Sequence, residues 1–235
     1  KYVLQLQVKD TIFGYLKFPI TDSGKKRLLN EEKAISILSE KGIVPKLILK
    51  DDFNGTNFLI LKNLEGSIEN ITQKEYQGLL NLFKKQNRFI LKTHPRIISL
   101  KKQLIDCDLN DLYDQLAAIT STSTKKYFEV YEHGDFAPWN LMKTKTAIVP
   151  FDFEYFEEKG LEYLDEFKYH FQIERMLNRK MAKELIENIS KIIVIDEFNL
   201  LFKIFLIKEI IIKCKEQTSY DFEISVIKIL NNNET

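Results

Sequence analysis

The sequence predicts an α+β fold, with a small strand-rich N-terminal part carrying one helix and a mostly helical remainder. Three observations predict it. Apolar and polar residues alternate with a period of two through most of the first part, interrupted by one stretch of helical spacing. After Gly66 the spacing of apolar residues becomes mostly helical. A strand running into a short hairpin pattern, around residues 126–151, is the main interruption of the helical part.

Tyr2–Val8 alternates as a strand, Lys9-Asp10-Thr11 is a turn, and residues 12–20 read as the returning strand. Thr21-Asp22-Ser23-Gly24 punctuates the chain. A helix is expected over about 25–41, with Leu28, Glu31, Ile35 and Leu38 three or four apart and Gly42 as its stop. Residues 46–50 and 57–61 read as two more strands, joined through the hairpin signal Asn54-Gly55. From 72 to 116 the pattern is mostly helical, broken near His94-Pro95. Lys126–Glu132 reads as a strand, and 140–142 with 147–151 as a hairpin. Helices alone are expected from Gly160 onward. The boundary falls near 62–67, giving parts 1–64 and 65–235.

Composition narrows the function. The 35 basic and 34 acidic residues nearly cancel, against the basic excess of a nucleic-acid binder. Cys107 and Cys214 have no Cys-x-x-Cys spacing, and with no signal peptide evident a cytoplasmic location is expected. The apolar stretch 200–212 is interrupted by Lys203, Lys208 and Glu209, so it reads as a buried core helix rather than a membrane span. The chain opens on Lys1 rather than Met, and a preceding segment is expected. His94 and His170 pair with no Cys or His at metal-ligand spacing, which speaks against zinc.

The chemistry lies in His133-Gly134-Asp135-Phe136-Ala137-Pro138-Trp139-Asn140, followed by Phe151-Asp152-Phe153-Glu154. Asp, Pro and Asn are ordinary turn formers, and Asp-x-x-x-x-Asn alone carries little weight. The combination carries more. One carboxylate for an incoming hydroxyl, with an amide and a second carboxylate for magnesium, is the set that phosphoryl transfer from a metal–nucleotide needs. Trp139 reads as a packing residue of the loop.

This segment resembles the catalytic loop of the aminoglycoside phosphotransferase and choline kinase group, His-Gly-Asp-x-x-x-x-Asn followed by an Asp-containing metal segment. Gly134 stands where protein kinases carry Arg, and Glu154 where they carry the Gly of Asp-Phe-Gly. The resemblance implies a two-lobed protein-kinase-like fold, ATP and Mg2+ as cofactors, and a small-molecule hydroxyl acceptor, with no nucleic acid or membrane partner. It implies Asp135 as the base, Asn140 and Asp152 as magnesium ligands and His133 as a buttress of the loop. Glu154 would touch metal or substrate. Lys17 would point at the nucleotide phosphates, held by Glu31; adjacent Glu32 competes, and the phase of Ile35 and Leu38 favours Glu31. The bland reading of both is an exposed strand lysine and a solvated helix glutamate. The strand ending at Lys62-Asn63-Leu64-Glu65-Gly66 resembles the inter-lobe hinge, where backbone groups near Lys62 and Leu64 would meet adenine.

Asp165, in Gly160-Leu161-Glu162-Tyr163-Leu164-Asp165, resembles a buried Asp that braces the loop. Glu154, Glu157, Glu158, Glu162, Asp165 and Glu166 could recognise a cationic acceptor, although a solvated acidic helix face is the commoner arrangement. The chain departs from the group in showing no glycine-rich phosphate loop before Tyr2. Two further readings stay open: a nucleotide-sensing or scaffolding pseudokinase, and an unrelated interaction domain.

Overall fold

The computed structural model describes residues 1–68 and 71–232. In chain order the elements are β1 (Tyr2–Val8), β2 (Thr11–Phe18), α1 (Asp22–Leu38), β3 (Leu47–Phe53), β4 (Thr56–Lys62), α2 (Gln73–Phe83), β5 (Lys84–Ile90), α3 (Pro95–Asp106), α4 (Asn110–Thr122) and β6 (Lys126–Glu132). There follow β7 (Leu141–Lys143), β8 (Ile148–Pro150), β9 (Glu157–Leu161), α5 (Leu164–Gln172), α6 (Ala182–Ile192), α7 (Phe198–Lys215) and α8 (Asp221–Asn232).

A single cut near residues 62–67 does not describe how the chain divides. One compact unit joins Lys1–Phe83 to His133–Glu158; the other joins Lys84–Glu132 to Lys159–Thr235. The two segments of the first unit are joined in part by Ser67 and Lys143, which exchange two backbone hydrogen bonds, of 2.7 and 3.0 Å. Glu75 of α2 adds a 2.7 Å ion pair to Lys143.

In the first unit, β1–β4 form an antiparallel sheet of order β1-β2-β4-β3. Thr21 caps α1 by accepting the Gly24 N–H at 3.0 Å, which satisfies one of the orphan donors of its first turn. The helix buries Leu28, Glu31, Ala34, Ile35 and Leu38, the stripe expected of a helix seated on a sheet. Leu28 and Ile35 pack with Leu59 and Leu61 of β4. Gly42, at φ +66°, ends the turn that follows, a left-handed conformation glycine adopts without a Cβ penalty.

The second unit carries the sheet β5-β6-β9 and helices α3–α8. Two strands correct the sequence expectation. Residues 84–90 pair antiparallel with β6, where helical spacing was read, and β9 takes in Gly160 and Leu161, where only helix was expected. Lys, Gln and Glu favour helix locally, but cross-strand pairing decides. Arg88 lies 3.7 Å over the Phe128 ring of β6, a contact that only the paired strand makes.

Helix α7 is buried from Leu201 to Ile211, including Lys203, Lys208 and Glu209. These charges stay inside because they are paired: Lys168 bonds Glu209 at 2.6 Å, and Lys208 lies 3.5 Å from Glu132. Among the described residues no helix is long and apolar enough to cross a membrane.

His170 on α5 is buried, and that burial pushes its pKa from 6.5 down to about 4, against the opposing pull of Glu174. The unfolded chain takes up this proton near pH 6.5 and the folded chain only near 4. Stability should therefore be full above pH 6.5 and fall by on the order of 3 kcal/mol as pH drops from 6.5 to 4. Urea titrations of wild type and His170→Gln should differ in slope across that interval; equal slopes would remove His170 as the source.

Candidate active site

The loop after β6 is shaped by contacts among its own residues. Gly134 sits at φ +83°, and a Cβ there would lie 2.2 Å from the Tyr155 carbonyl oxygen, so only glycine fits. His133 is fully buried. Its Nδ1 accepts the Asp135 N–H at 3.3 Å, which leaves Nε2–H to donate to the Phe151 carbonyl at 3.0 Å. The imidazole is thereby held neutral, with its ring 4.4 Å from that of Phe153. It ties the Asp135 segment to the Asp152 segment.

Asn140 donates from Nδ2 twice to Asp135, to the main-chain oxygen at 2.9 Å and to Oδ2 at 3.0 Å. Its Oδ1 is bonded by none of the described residues. The Phe151 N–H donates to the Asn140 carbonyl at 3.0 Å, closing the hairpin in which Leu141 faces Pro150. Asp152 follows at once, at φ +67°, a left-handed conformation that Asp tolerates better than most residues. The short hairpin thus returns Asp152 to the neighbourhood of Asn140.

Lys17 on β2 and Glu31 on α1 meet at 2.5 Å, both almost fully buried. Glu32 instead faces outward to Lys50 at 2.6 Å, so the helical phase separates the two adjacent glutamates. Lys17 also reaches Asp152 Oδ1 at 2.8 Å. Burial opposes the Lys17 charge, but Glu31 and Asp152 outweigh it and hold the ammonium's pKa above the ordinary lysine value. Burial also opposes the Asp152 charge; Lys17 and Lys1 outweigh it and hold the carboxyl down to about 2.

Three contributors had no signal in the sequence. Lys1 bonds the same Asp152 oxygen at 2.8 Å and pairs with Glu154. Burial, reinforced by the neighbouring Lys17, pushes the Lys1 pKa down. Arg27 of α1 lies 3.4 Å from Glu154, and Asn30 Nδ2 donates to the Glu154 carbonyl at 2.9 Å.

A cavity of about 330 Å³ opens beside these groups. Lys1, Lys17 and Asp152 line one part of it; Tyr15, Leu61, Met142 and Phe151 give it an apolar wall. Lys62 and Leu64 also line it, and they differ. The Lys62 N–H is spent on the Lys46 carbonyl at 2.8 Å, whereas the Leu64 backbone makes no hydrogen bond among the described residues.

The acidic residues after Asp152 do not form a solvated helix face. Glu154 is buried in ion pairs, Glu157 and Glu158 lie on β9, and Glu162 is buried and accepts the Phe128 N–H at 2.7 Å. Asp165 is buried on α5, within the second unit. Trp139 is half-exposed on the turn Pro138–Asn140. Among the described residues no three His, Cys, Asp or Glu side chains converge as a metal site. Magnesium asks less of the protein: one carboxylate and one amide oxygen suffice when phosphates and water complete its shell. Ionised Asp152 and the unbonded Asn140 Oδ1 fit that demand.

No family model matches the sequence, and no curated protein matches it. Solved structures do. A crystal structure of a Haemophilus somnus 129PT protein assigned as a fructosamine-3-kinase is 15% identical, with 99% of this chain and 90% of that chain covered and a TM-score of 0.51. The aminoglycoside phosphotransferase APH(3'')-Id of Streptomyces rimosus ATCC10970, in complex with ADP and streptomycin, is 12% identical, with 85% and 86% covered and a TM-score of 0.53. At such identities the likeness speaks for the fold alone. With its small β-sheet N-terminal region and helical C-terminal part, this chain has a kinase-like fold, shared with these two structures.

Proposed function

We propose that the chain transfers the γ-phosphoryl group of ATP to a hydroxyl of a small molecule in a magnesium-dependent reaction. The observation that carries the reading is the Lys17–Glu31–Asp152 contact at the edge of the cavity, within one compact unit with the Asp135–Asn140 loop. The ADP held by the aminoglycoside phosphotransferase neighbour supports a nucleotide, and the two neighbours support a sugar, amino alcohol or aminoglycoside-like acceptor.

Bound magnesium–ATP would supply the phosphoryl group and neutralise its charge. The chain's residues do the rest. Leu64 offers an open backbone edge to the adenine, and the apolar wall excludes water from the base. Lys17 uses two of its three N–H donors on Glu31 and Asp152, which leaves one for a phosphate oxygen. Asn140 Oδ1 and Asp152 would hold the metal. Asp135 orients the acceptor hydroxyl and takes its proton, with its backbone fixed by His133 and Asn140.

Calorimetry of ATP with and without magnesium, followed by ADP release in the presence of sugars and amino alcohols, tests this reading. Magnesium-dependent binding with acceptor-dependent turnover is expected. Binding without turnover against any acceptor would favour the pseudokinase, and absence of binding would end the kinase reading.

A further inference from the structure

We propose that Lys1 and Glu154 form a second lysine–carboxylate pair, which binds the nucleotide's polyphosphate beside Lys17. The inference rests on the nucleotide-binding reading above and adds a residue to it. Two ammonium groups converge on a single carboxylate oxygen: Lys17 and Lys1 each lie 2.8 Å from Asp152 Oδ1. Both side chains are mostly buried, with 9% and 16% exposed. Two cations at one oxygen repel each other strongly where water is scarce.

Each ammonium also owns a carboxylate it does not share. Glu31 serves Lys17, and Glu154 serves Lys1. The same turn of α1 presents both arrangements, because Arg27 and Asn30 fix Glu154 while Glu31 holds Lys17. Lys1, Lys17 and Arg27 balance Glu31, Asp152 and Glu154. When Asp152 turns to a divalent cation, each lysine therefore keeps a counter-charge and its position. Each has spent two of its three N–H donors, and both line the cavity. Two positioned ammonium groups facing one space suit a ligand with several adjacent anionic oxygens, which a polyphosphate has and a nucleoside lacks.

Dissociation constants of ATP, ADP and adenosine, measured by calorimetry with magnesium on the full chain, test the pair. Lys1→Met should weaken ATP and ADP about tenfold and leave adenosine unchanged, while Lys1→Arg should stay close to wild type. The salt dependence of ATP affinity should be shallower in Lys1→Met. Lys1→Met also leaves Glu154 one counter-charge short, so its melting temperature should fall, and the titrations are run well below that temperature, where adenosine affinity reports an intact site. Unchanged or tighter ATP binding by Lys1→Met, or an equal loss for adenosine, would overturn the pair and leave the kinase reading standing. A wild-type chain that binds neither ATP nor ADP would overturn both.

Discussion

Asp135→Asn should lower phosphoryl transfer about a hundredfold to ten-thousandfold, the range a positioned general base contributes, while the ATP dissociation constant stays within about twofold. The expectation depends on how the loop is held. Asn140 Nδ2 donates to both the main-chain oxygen and the side chain of Asp135, so removing the carboxylate charge leaves the main-chain bond in place. His133 grips the Asp135 N–H, again independently of the side chain. The variant should therefore fold as wild type does, with a stability loss of about 1 kcal/mol or less. Single-turnover transfer to an accepted hydroxyl compound, alongside calorimetry of ATP, separates the two quantities. Transfer at wild-type rate would remove Asp135 from the chemistry. Equal loss of binding and transfer would make it a structural residue.

The largest effect on stability should come from Glu132. It is fully buried at the end of β6, and Arg96 clasps both its oxygens, at 3.0 and 2.9 Å, with Lys208 3.5 Å away. Burial opposes its charge, yet Arg96 and Lys208 hold its pKa below the usual carboxylate value. Glu132→Ala leaves buried cations short of their counter-charge, a change that costs about 3–5 kcal/mol. A domain's whole stability is about 5–15 kcal/mol, so this variant should sit close to unfolding at room temperature. The double variant Arg96→Met/Glu132→Leu should recover much of the loss, since apolar side chains of similar volume replace a buried ion pair at little cost. The stability due to Glu132 is complete above its unfolded pKa near 4.5 and is lost as pH falls through the lower folded value. Urea titration at pH 7 measures both variants. A loss below about 1 kcal/mol in Glu132→Ala would show that the pair contributes little.

Much of the candidate site was legible in the sequence because its residues lie in short segments of fixed spacing. Asp135 and Asn140 share one turn, and a hairpin of three-residue strands carries the chain on to Asp152. The choice of Glu31 over Glu32 needed only the helical phase of Ile35 and Leu38, and the buried stripe of α1 follows that phase. The parts that could not be read depend on distant pairing. Residues 84–90 carry no alternation that outweighs their helix-favouring lysines and glutamine, and they become a strand through β6, some forty residues further along the chain. Lys1 has no local pattern at all; its partners Asp152 and Glu154 lie about 150 residues away. The discontinuous first unit likewise rests on distant contacts, among them the backbone bridge of Ser67 with Lys143, that composition does not mark.

The discontinuity of the first unit also implies an order of events during synthesis. The four-stranded sheet and α1 are complete once residue 62 has left the ribosome, but Lys17 then has Glu31 and no Asp152. The chain must pass from Phe83 to Glu158 before the unit's missing piece exists. At about 5–20 residues per second, those 75 residues take roughly 4–15 seconds. Throughout that interval the nascent chain carries a sheet without a site. For this unit, the last step of assembly is the return of one short hairpin to a surface made long before it.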